Sequence, residues 1–97
     1  MSKIRTFSSG RPWETQYPQS RGISYGGLFE TCLTAPSNPD GSIVAAGDLY
    51  SQTRRCYEIV LTTLNEAGYA VSDIVRSDVY LLDTSKWEEA ARAHRDM

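Results

Sequence analysis

The chain has 97 residues, 40% of them hydrophobic and 23% charged, and this size and composition allow one globular domain at most. Its net charge of -2 and its scattered basic residues exclude the positive field on which nucleic-acid binding depends. No apolar run approaches the roughly 20 residues of a membrane span, and no apolar stretch follows the first residues as in a signal peptide.

The first third of the sequence has the pattern of short strands. Residues 4–7 alternate weakly and predict an edge strand, and residues 8–12 form a loop of Ser, Gly and Pro. Two further strands are predicted at 20–25 and 28–34, joined in a hairpin by Gly26-Gly27. A loop follows, in which Pro39-Asp40-Gly41 predicts a turn.

A long helix is predicted after this loop. Asp48 is a good N-cap residue, and Gly68 suits the left-handed position that ends a helix. Between them, a stripe facing the core is predicted at steps of three and four: Leu49, Thr53, Cys56, Val60, Leu64 and Ala67.

Residues 74–82 have the strongest strand pattern, since nearly all are apolar or aromatic and the second half is apolar on both faces. A second helix follows, capped by Asp83-Thr84-Ser85, with Ser85 and Glu88 as a capping box. Its less polar face is predicted to hold Trp87, Ala90, Ala91 and His94. This order predicts an α+β fold, a sheet with helices on one face. We expect its bare apolar face to meet another copy of the chain.

Several short motifs occur together along nearly the whole chain: Tyr17 with Ser20-Arg21, Gly26, Asn38-Pro39-Asp40-Gly41, Gln52-Thr53, Leu64, Ala67-Gly68, Asp73-Ile74-Val75 and Val79-Tyr80-Leu81-Leu82-Asp83. Their order and spacing resemble the RidA/YjgF family of small trimeric proteins, also called L-PSP endoribonucleases. Three further motifs are typical of one branch with a Gly-x-Pro-Trp-Glu signature: Ser9-Gly10-Arg11-Pro12-Trp13-Glu14, Trp87-Glu88 and Ala91-Arg92-Ala93-His94.

The resemblance implies a chorismate-mutase-like fold and a homotrimer with clefts between subunits. It also implies hydrolysis of reactive enamines and imines, such as 2-aminoacrylate, to keto acids and ammonia. Such an enzyme is a C–N hydrolase of the 2-iminobutanoate/2-iminopropanoate deaminase type. It uses no metal or organic cofactor and binds a small carboxylate-bearing ligand. The endoribonuclease name has no support in these residues.

The family's substrate arginine and late glutamate belong to strands that follow the second helix. No position of this chain inherits either role, so no catalytic residue is assigned. We therefore expect residues 1–97 to form a single RidA-like domain that is incomplete at its C-terminus and lacks the last strands.

Four residues are predicted to bind substrate: Tyr17, Arg21, Leu33 and Thr34. The family counterpart of Tyr17 lines the cleft, although an interface aromatic is an equal alternative. Arg21 is a possible substitute cation for a carboxylate. Leu33 falls where the family has glycine and narrows the approach to the ligand. Thr34 offers a hydroxyl to the cleft or bonds to a neighbouring loop.

For the thiols, the histidine and Glu30, structural roles are favoured over catalytic ones. Cys32 as a nucleophile needs a histidine base, and the one histidine, His94, lies on the terminal helix. Two cysteines and one histidine show no zinc-ligand spacing, and both thiols are expected reduced in a cytoplasmic protein. Glu30 either faces inward with a raised pKa, or faces solvent or pairs with Arg21.

Three hypotheses about function follow. The first is the imine deaminase that the family resemblance implies. The second is a non-catalytic trimer that binds small ligands or regulates through the same clefts. The third is a truncated, degenerate family copy without activity.

Overall fold

The computed structural model of the chain describes residues 4–17 and 19–97. Its first part is a three-stranded antiparallel sheet in the order β1 (Arg5–Phe7), β2 (Gly22–Tyr25) and β3 (Leu28–Thr31). Gly26 and Gly27 join β2 to β3 with φ of 54° and 79°, values that suit glycine and confirm the predicted hairpin. Both hairpin strands are shorter than predicted, because pairing ends where Gly22 lies opposite Thr31.

A short helix that the sequence pattern did not predict lies between β1 and β2. It is α1 (Pro12–Gln16), and proline occupies its first turn, where a missing N–H costs nothing. Its five residues are too few to show a helical period. The predicted turn before α2 is confirmed: the Gly41 N–H donates to the Asn38 carbonyl oxygen at 2.9 Å.

The long helix α2 (Leu49–Glu66) begins and ends as predicted. The Asp48 carboxylate accepts a hydrogen bond from the Ser51 N–H at 3.1 Å, and Gly68 has a φ of 91°. The predicted stripe is confirmed in part. Thr53 and Leu64 are buried and the other four members are half-buried, while buried Ile59 and Thr63 were not in the predicted stripe.

Helix α3 (Trp87–Asp96) packs against α2, but two details of its prediction are wrong. Asp83, rather than a Ser85–Glu88 box, accepts from the Ser85 N–H at 3.0 Å and caps a 3₁₀ turn over Thr84–Lys86. The buried face is formed by Ala90 and Ala93, while Trp87, Ala91 and His94 are exposed. Small side chains at this contact allow the two helices to approach closely.

The predicted strand over 74–82 is wrong in this structure. Residues 74–80 are neither helix nor strand, and Val75 is 99% exposed. A strand is held by backbone hydrogen bonds to a neighbouring strand, and no described strand pairs with this segment. The element order nevertheless confirms an α+β fold. None of the helices in the described ranges is long and apolar enough to cross a bilayer.

Candidate functional site

The side chains of Arg21 and Thr34 meet where the hairpin approaches α2. Arg21 precedes β2, and its backbone is held on both sides: its N–H donates to Phe7 at 2.8 Å and its carbonyl accepts from Cys32 at 3.1 Å. The Arg21 Nη1 donates to the Thr34 hydroxyl. The Thr34 carbonyl accepts from the Cys56 thiol of α2 at 3.3 Å. Two predicted substrate-binding residues, 13 positions apart in sequence, therefore form one centre.

The guanidinium of this centre is buried without a matching anion. Arg21 is only 1% exposed, and its Nε has no hydrogen-bond partner among the described residues. No carboxylate of the described chain lies within ion-pair distance of it, although its charge contributes to lowering the pKa of Glu14. A buried cation is costly unless it is paired, so the centre is suited to a negatively charged group.

The other two predicted substrate-binding residues are separate from this pair. Tyr17 follows α1 and is 70% exposed, and Leu33 is 76% exposed. Within residues 4–17 and 19–97, no side-chain hydrogen bond joins either of them to Arg21 or Thr34. Their assignment to substrate binding stays a prediction.

A buried polar cluster beside this centre was missed in the sequence. Arg11 and Glu14 are each 7% exposed, and Ser37 is buried. The Arg11 Nη2 donates to the Ser37 carbonyl at 2.7 Å, while Glu14 accepts from the Ser8 hydroxyl at 2.7 Å and the Ser9 N–H at 3.1 Å. The Gly-x-Pro-Trp-Glu motif was the available signal, but it indicated family and not burial.

The cluster extends to α2 and borders a groove. Arg55 Nε donates to the same Ser37 carbonyl at 3.0 Å, so two guanidinium groups share one acceptor. Burial lowers the pKa of Arg11, as do the charges of Arg55 and Arg21, and Glu14 offsets only part of this. The groove has a volume of about 260 Å³ and lies between loop 8–11 and the face of α2 that carries Arg55, Ile59 and Thr63.

The thiols and the histidine do not form a catalytic pair. Cys32 donates weakly to the Leu33 carbonyl at 3.4 Å, and burial raises the pKa of Cys56. His94 Nδ1 lies 2.8 Å from the Tyr57 hydroxyl, on the helical side of the molecule. In the part of the chain that the structure describes, no three acidic, thiol or imidazole groups could together hold a metal ion.

Glu30 faces solvent, which is one of the alternatives that the sequence left open. Its carboxylate accepts a hydrogen bond from the Tyr25 hydroxyl at 2.7 Å. The proposed ion pair with Arg21 does not form, because that side chain is turned towards Thr34. Glu30 is therefore not part of the candidate site.

Comparison with known proteins agrees with the fold. Residues 11–97 match the family described as endoribonuclease L-PSP. A RutC family protein of Pyrococcus abyssi is 33% identical over 66 residues, which cover 68% of this chain and 52% of that protein. An uncharacterized protein of Streptomyces coelicolor is 24% identical over 94 residues, covering 97% of this chain and 69% of that protein.

A solved structure extends the likeness to three dimensions. It is the crystal structure of a member of the highly conserved YjgF/YER057c/UK114 family from Mycobacterium tuberculosis. The TM-score is 0.84 at 28% identity, covering 97% of this chain and 73% of that one. The chain spans about half the length of the P. abyssi relative. From the match over residues 11–97 and this shared fold, the chain belongs to the RidA/YjgF family, described as endoribonuclease L-PSP.

Proposed function

We propose that this chain forms a single RidA-like domain of a reactive enamine/imine deaminase, a C–N hydrolase that converts 2-aminoacrylate-type imines to keto acids and ammonia. The observation that carries the proposal is the Arg21–Thr34 centre. Its guanidinium has an unpartnered Nε and no carboxylate of the described chain at ion-pair distance. A substrate carboxylate supplies the missing anion, and charge-assisted hydrogen bonds of this kind are strong and directional.

The reaction asks little of the protein beyond positioning. The enamine 2-aminoacrylate first tautomerises to its imine, as a proton leaves nitrogen and one is added to the CH2 carbon. Water then adds to the carbon of the C=N bond to give a carbinolamine, which expels ammonia and leaves the C=O bond of the keto acid. In the proposal, Arg21 holds the carboxylate and so orients the imine carbon towards water. The Thr34 hydroxyl holds the guanidinium in place. No residue of this chain is assigned to proton transfer, and no metal or cofactor is invoked.

We further propose that the chain works as a homotrimer with ligand clefts between subunits. Support comes from apolar side chains on the surface, among them Val75, Tyr80 and Leu82 of the unpaired segment and Leu33, which precedes Thr34 in the sequence. Exposed apolar patches mark interaction sites. A cleft formed between subunits against Leu33 and Tyr17 would bring both side chains next to the ligand. If the chain is a homotrimer, light scattering should give three times the chain mass of 10.8 kDa.

We place the protein in the cytoplasm. Cys32 and Cys56 are both free thiols. Unpaired thiols persist in reducing compartments, whereas exported proteins of this size commonly pair them.

The deaminase proposal is tested by ammonia release from 2-aminoacrylate. We expect release above the spontaneous rate, and a loss in kcat/KM of about 10- to 100-fold on Arg21→Ala. Arg21→Lys should recover part of the lost kcat/KM, since lysine keeps the positive charge but lacks the planar guanidinium that binds a carboxylate through two hydrogen bonds. The matched control is Arg76→Ala, which removes an exposed guanidinium, and circular dichroism confirms that each variant is folded. No release above the spontaneous rate contradicts the proposal.

A non-catalytic ligand-binding trimer is the second candidate. The Arg21–Thr34 centre favours it, because holding a carboxylate needs only the buried cation, whereas no described residue is assigned to the proton transfers of the deaminase. A thermal-shift screen of small keto and amino acids should then show a raised Tm, while the ammonia assay shows no turnover. If no compound of the panel raises the Tm, the result counts against this candidate. A sharp trimer peak in size-exclusion chromatography rules out the third alternative, a degenerate copy.

A further inference from the structure

The outer side of α3 is a surface that the candidate site does not use. Ala90 and Ala93 face α2 and are 5% and 0% exposed, so the opposite side of the helix is turned to solvent. None of the four predicted substrate-binding residues belongs to this side. Six residues form the surface, called the α3 surface below: Trp87, Glu88, Glu89, Ala91, Arg92 and Arg95.

The middle of the α3 surface is a stripe with opposite charges at its two ends. At about 100° per residue, Glu88 and Arg95 point most directly away from α2, and Ala91 and Arg92 lie between them at helical spacing. All four are exposed. From Glu88 to Arg95 the stripe is about 10 Å long, negative towards the start of the helix and positive towards its end.

The charges of this stripe are not used within the chain. Glu88 forms no ion pair among the described residues, although Arg92 stands at the favourable spacing of four. Arg92 lies instead over the Tyr50 ring, 4.3 Å from its centroid. The Arg95 side chain is 73% exposed and contacts Asp96 through Nε at 3.3 Å, so its two terminal amino groups have no partner in the described chain. Both ends of the stripe can therefore take a partner of opposite charge.

We propose that the α3 surface binds the same surface of a second copy of this chain, with the two α3 helices antiparallel about a twofold axis between Ala91 and Arg92. In this register Glu88 of each copy faces Arg95 of the other, and symmetry makes two ion pairs. The small Ala91 faces the aliphatic stem of Arg92 and allows the helices to approach. A parallel arrangement brings like charges together, and a partner of one charge sign is repelled at one end of the stripe.

This contact is separate from the proposed trimer, which uses the segment 74–82 and Leu33. Two helices of ten residues bury well under the roughly 1,200 Å² of a standard interface. The association is therefore weak and calls for chain concentrations of about 0.1–1 mM. At micromolar concentrations the copies separate, so substitutions on the α3 surface leave the unfolding of the dilute chain unaffected.

Sedimentation equilibrium of the full chain from about 10 µM to 1 mM tests the contact. The readout is the mass at high concentration divided by the mass at low concentration, so it does not depend on whether the dilute species is a monomer or the proposed trimer. We expect this ratio to rise towards two. The rise should be smaller in 0.5 M salt, at roughly which concentration exposed ion pairs are screened.

Charge exchange identifies the facing residues. Glu88→Arg or Arg95→Glu turns both attractions into repulsions and should weaken the association at least about fivefold. The double variant Glu88→Arg/Arg95→Glu restores opposite charges across the axis and should associate like wild type. Glu66→Arg makes the same change of charge as Glu88→Arg on an exposed position of α2, and it should leave the mass ratio unchanged.

A second readout requires no variant, because reversed charges at the ends of α3 oppose the helix dipole and can weaken the helix itself. Amide NMR shifts of wild type should move at Ala91 and Arg95 as concentration rises, and circular dichroism checks each variant. A constant mass ratio, the absence of concentration-dependent shifts on α3, or a folded double variant that associates no better than the single ones overturns the proposal.

Discussion

Arg21 and Glu14 are both buried charges, but their surroundings differ. The Glu14 carboxylate accepts hydrogen bonds from the hydroxyl of Ser8 and the backbone of Ser9, so its charge is solvated by the protein. Arg21 has one described side-chain partner and an unpartnered Nε. A buried charge whose bonds are made stabilises local structure, whereas one with a missing partner marks a binding candidate. We therefore assign Glu14 to structure and propose Arg21 for ligand binding.

Replacing Glu14 with glutamine should destabilise the chain in a pH-dependent way. Burial by itself raises the pKa of Glu14, but hydrogen bonds from Ser9 and Ser8 outweigh it, and the pKa is lowered from 4.5. The folded state thus binds fewer protons than the unfolded state. The contribution of this carboxylate is full above pH 4.5 and is lost as pH falls through the folded value.

Urea denaturation at a series of pH values tests this. Glu14→Gln should lower the free energy of unfolding at pH 7 by about 2 kcal/mol. The difference from wild type should narrow steadily in more acidic solution. Glu88→Gln, an exposed carboxylate on α3, is the matched control and should change stability by less than about 0.5 kcal/mol. A difference that is the same at every pH would show that charge is not the cause.

Among the elements, α2 was predicted well and the segment 74–82 was not. Helix α2 is defined by local signals, because its cap at Asp48, its apolar period and its stop at Gly68 all act within a few residues of each other. A strand depends on a partner strand that is remote in sequence. Apolar composition indicates only that the side chains of a segment are suited to burial against another surface. The five-residue α1 carried too little pattern to be found.

Enlarging one alanine of α3, Ala93, should destabilise the contact between α2 and α3, whereas enlarging Ala91 should not. Ala93 is completely buried at this contact, and Ala91 on the same helix is exposed. Ala93→Leu should cost about 1–3 kcal/mol through overpacking, measured by chemical denaturation. Ala91→Leu, the same change on the other face, should stay within about 0.5 kcal/mol. Equal losses would contradict the observed face of α3.

At the scale of the whole molecule, little of the apolar surface is covered. The buried hydrophobic residues of the described chain are two aliphatic side chains of α2, Ile59 and Leu64, and two alanines of α3. A domain of this length buries roughly 60–70% of the surface that its unfolded chain exposes, so its stability alone is marginal. Val75 and Leu82 are fully exposed on an unpaired segment, and open backbone of this kind invites association.

Val75→Lys should therefore weaken assembly without unfolding the chain. If Val75 is buried once per subunit in the proposed trimer, each copy loses about 1.5 kcal/mol, and dissociation should increase at least tenfold. Light scattering across a dilution series measures the mass, and circular dichroism checks the fold. Ala46→Lys adds the same charge on an exposed loop and should leave the mass unchanged. An unaltered mass for Val75→Lys would argue against this segment as the interface.

The features that the sequence by itself predicts are local ones: the hairpin glycines, the caps of α2 and the short motifs that indicate the family each depend on residues close together in the chain. The meeting of Arg21 with Thr34 and the burial of Arg11 and Glu14 depend on how β1, α1, the hairpin and α2 are placed together. Burial and charge pairing are properties of neighbours in space. That is why Arg21 could be proposed from the sequence as a cation for substrate, whereas only the folded chain showed it buried, held by Thr34 and lacking an anion.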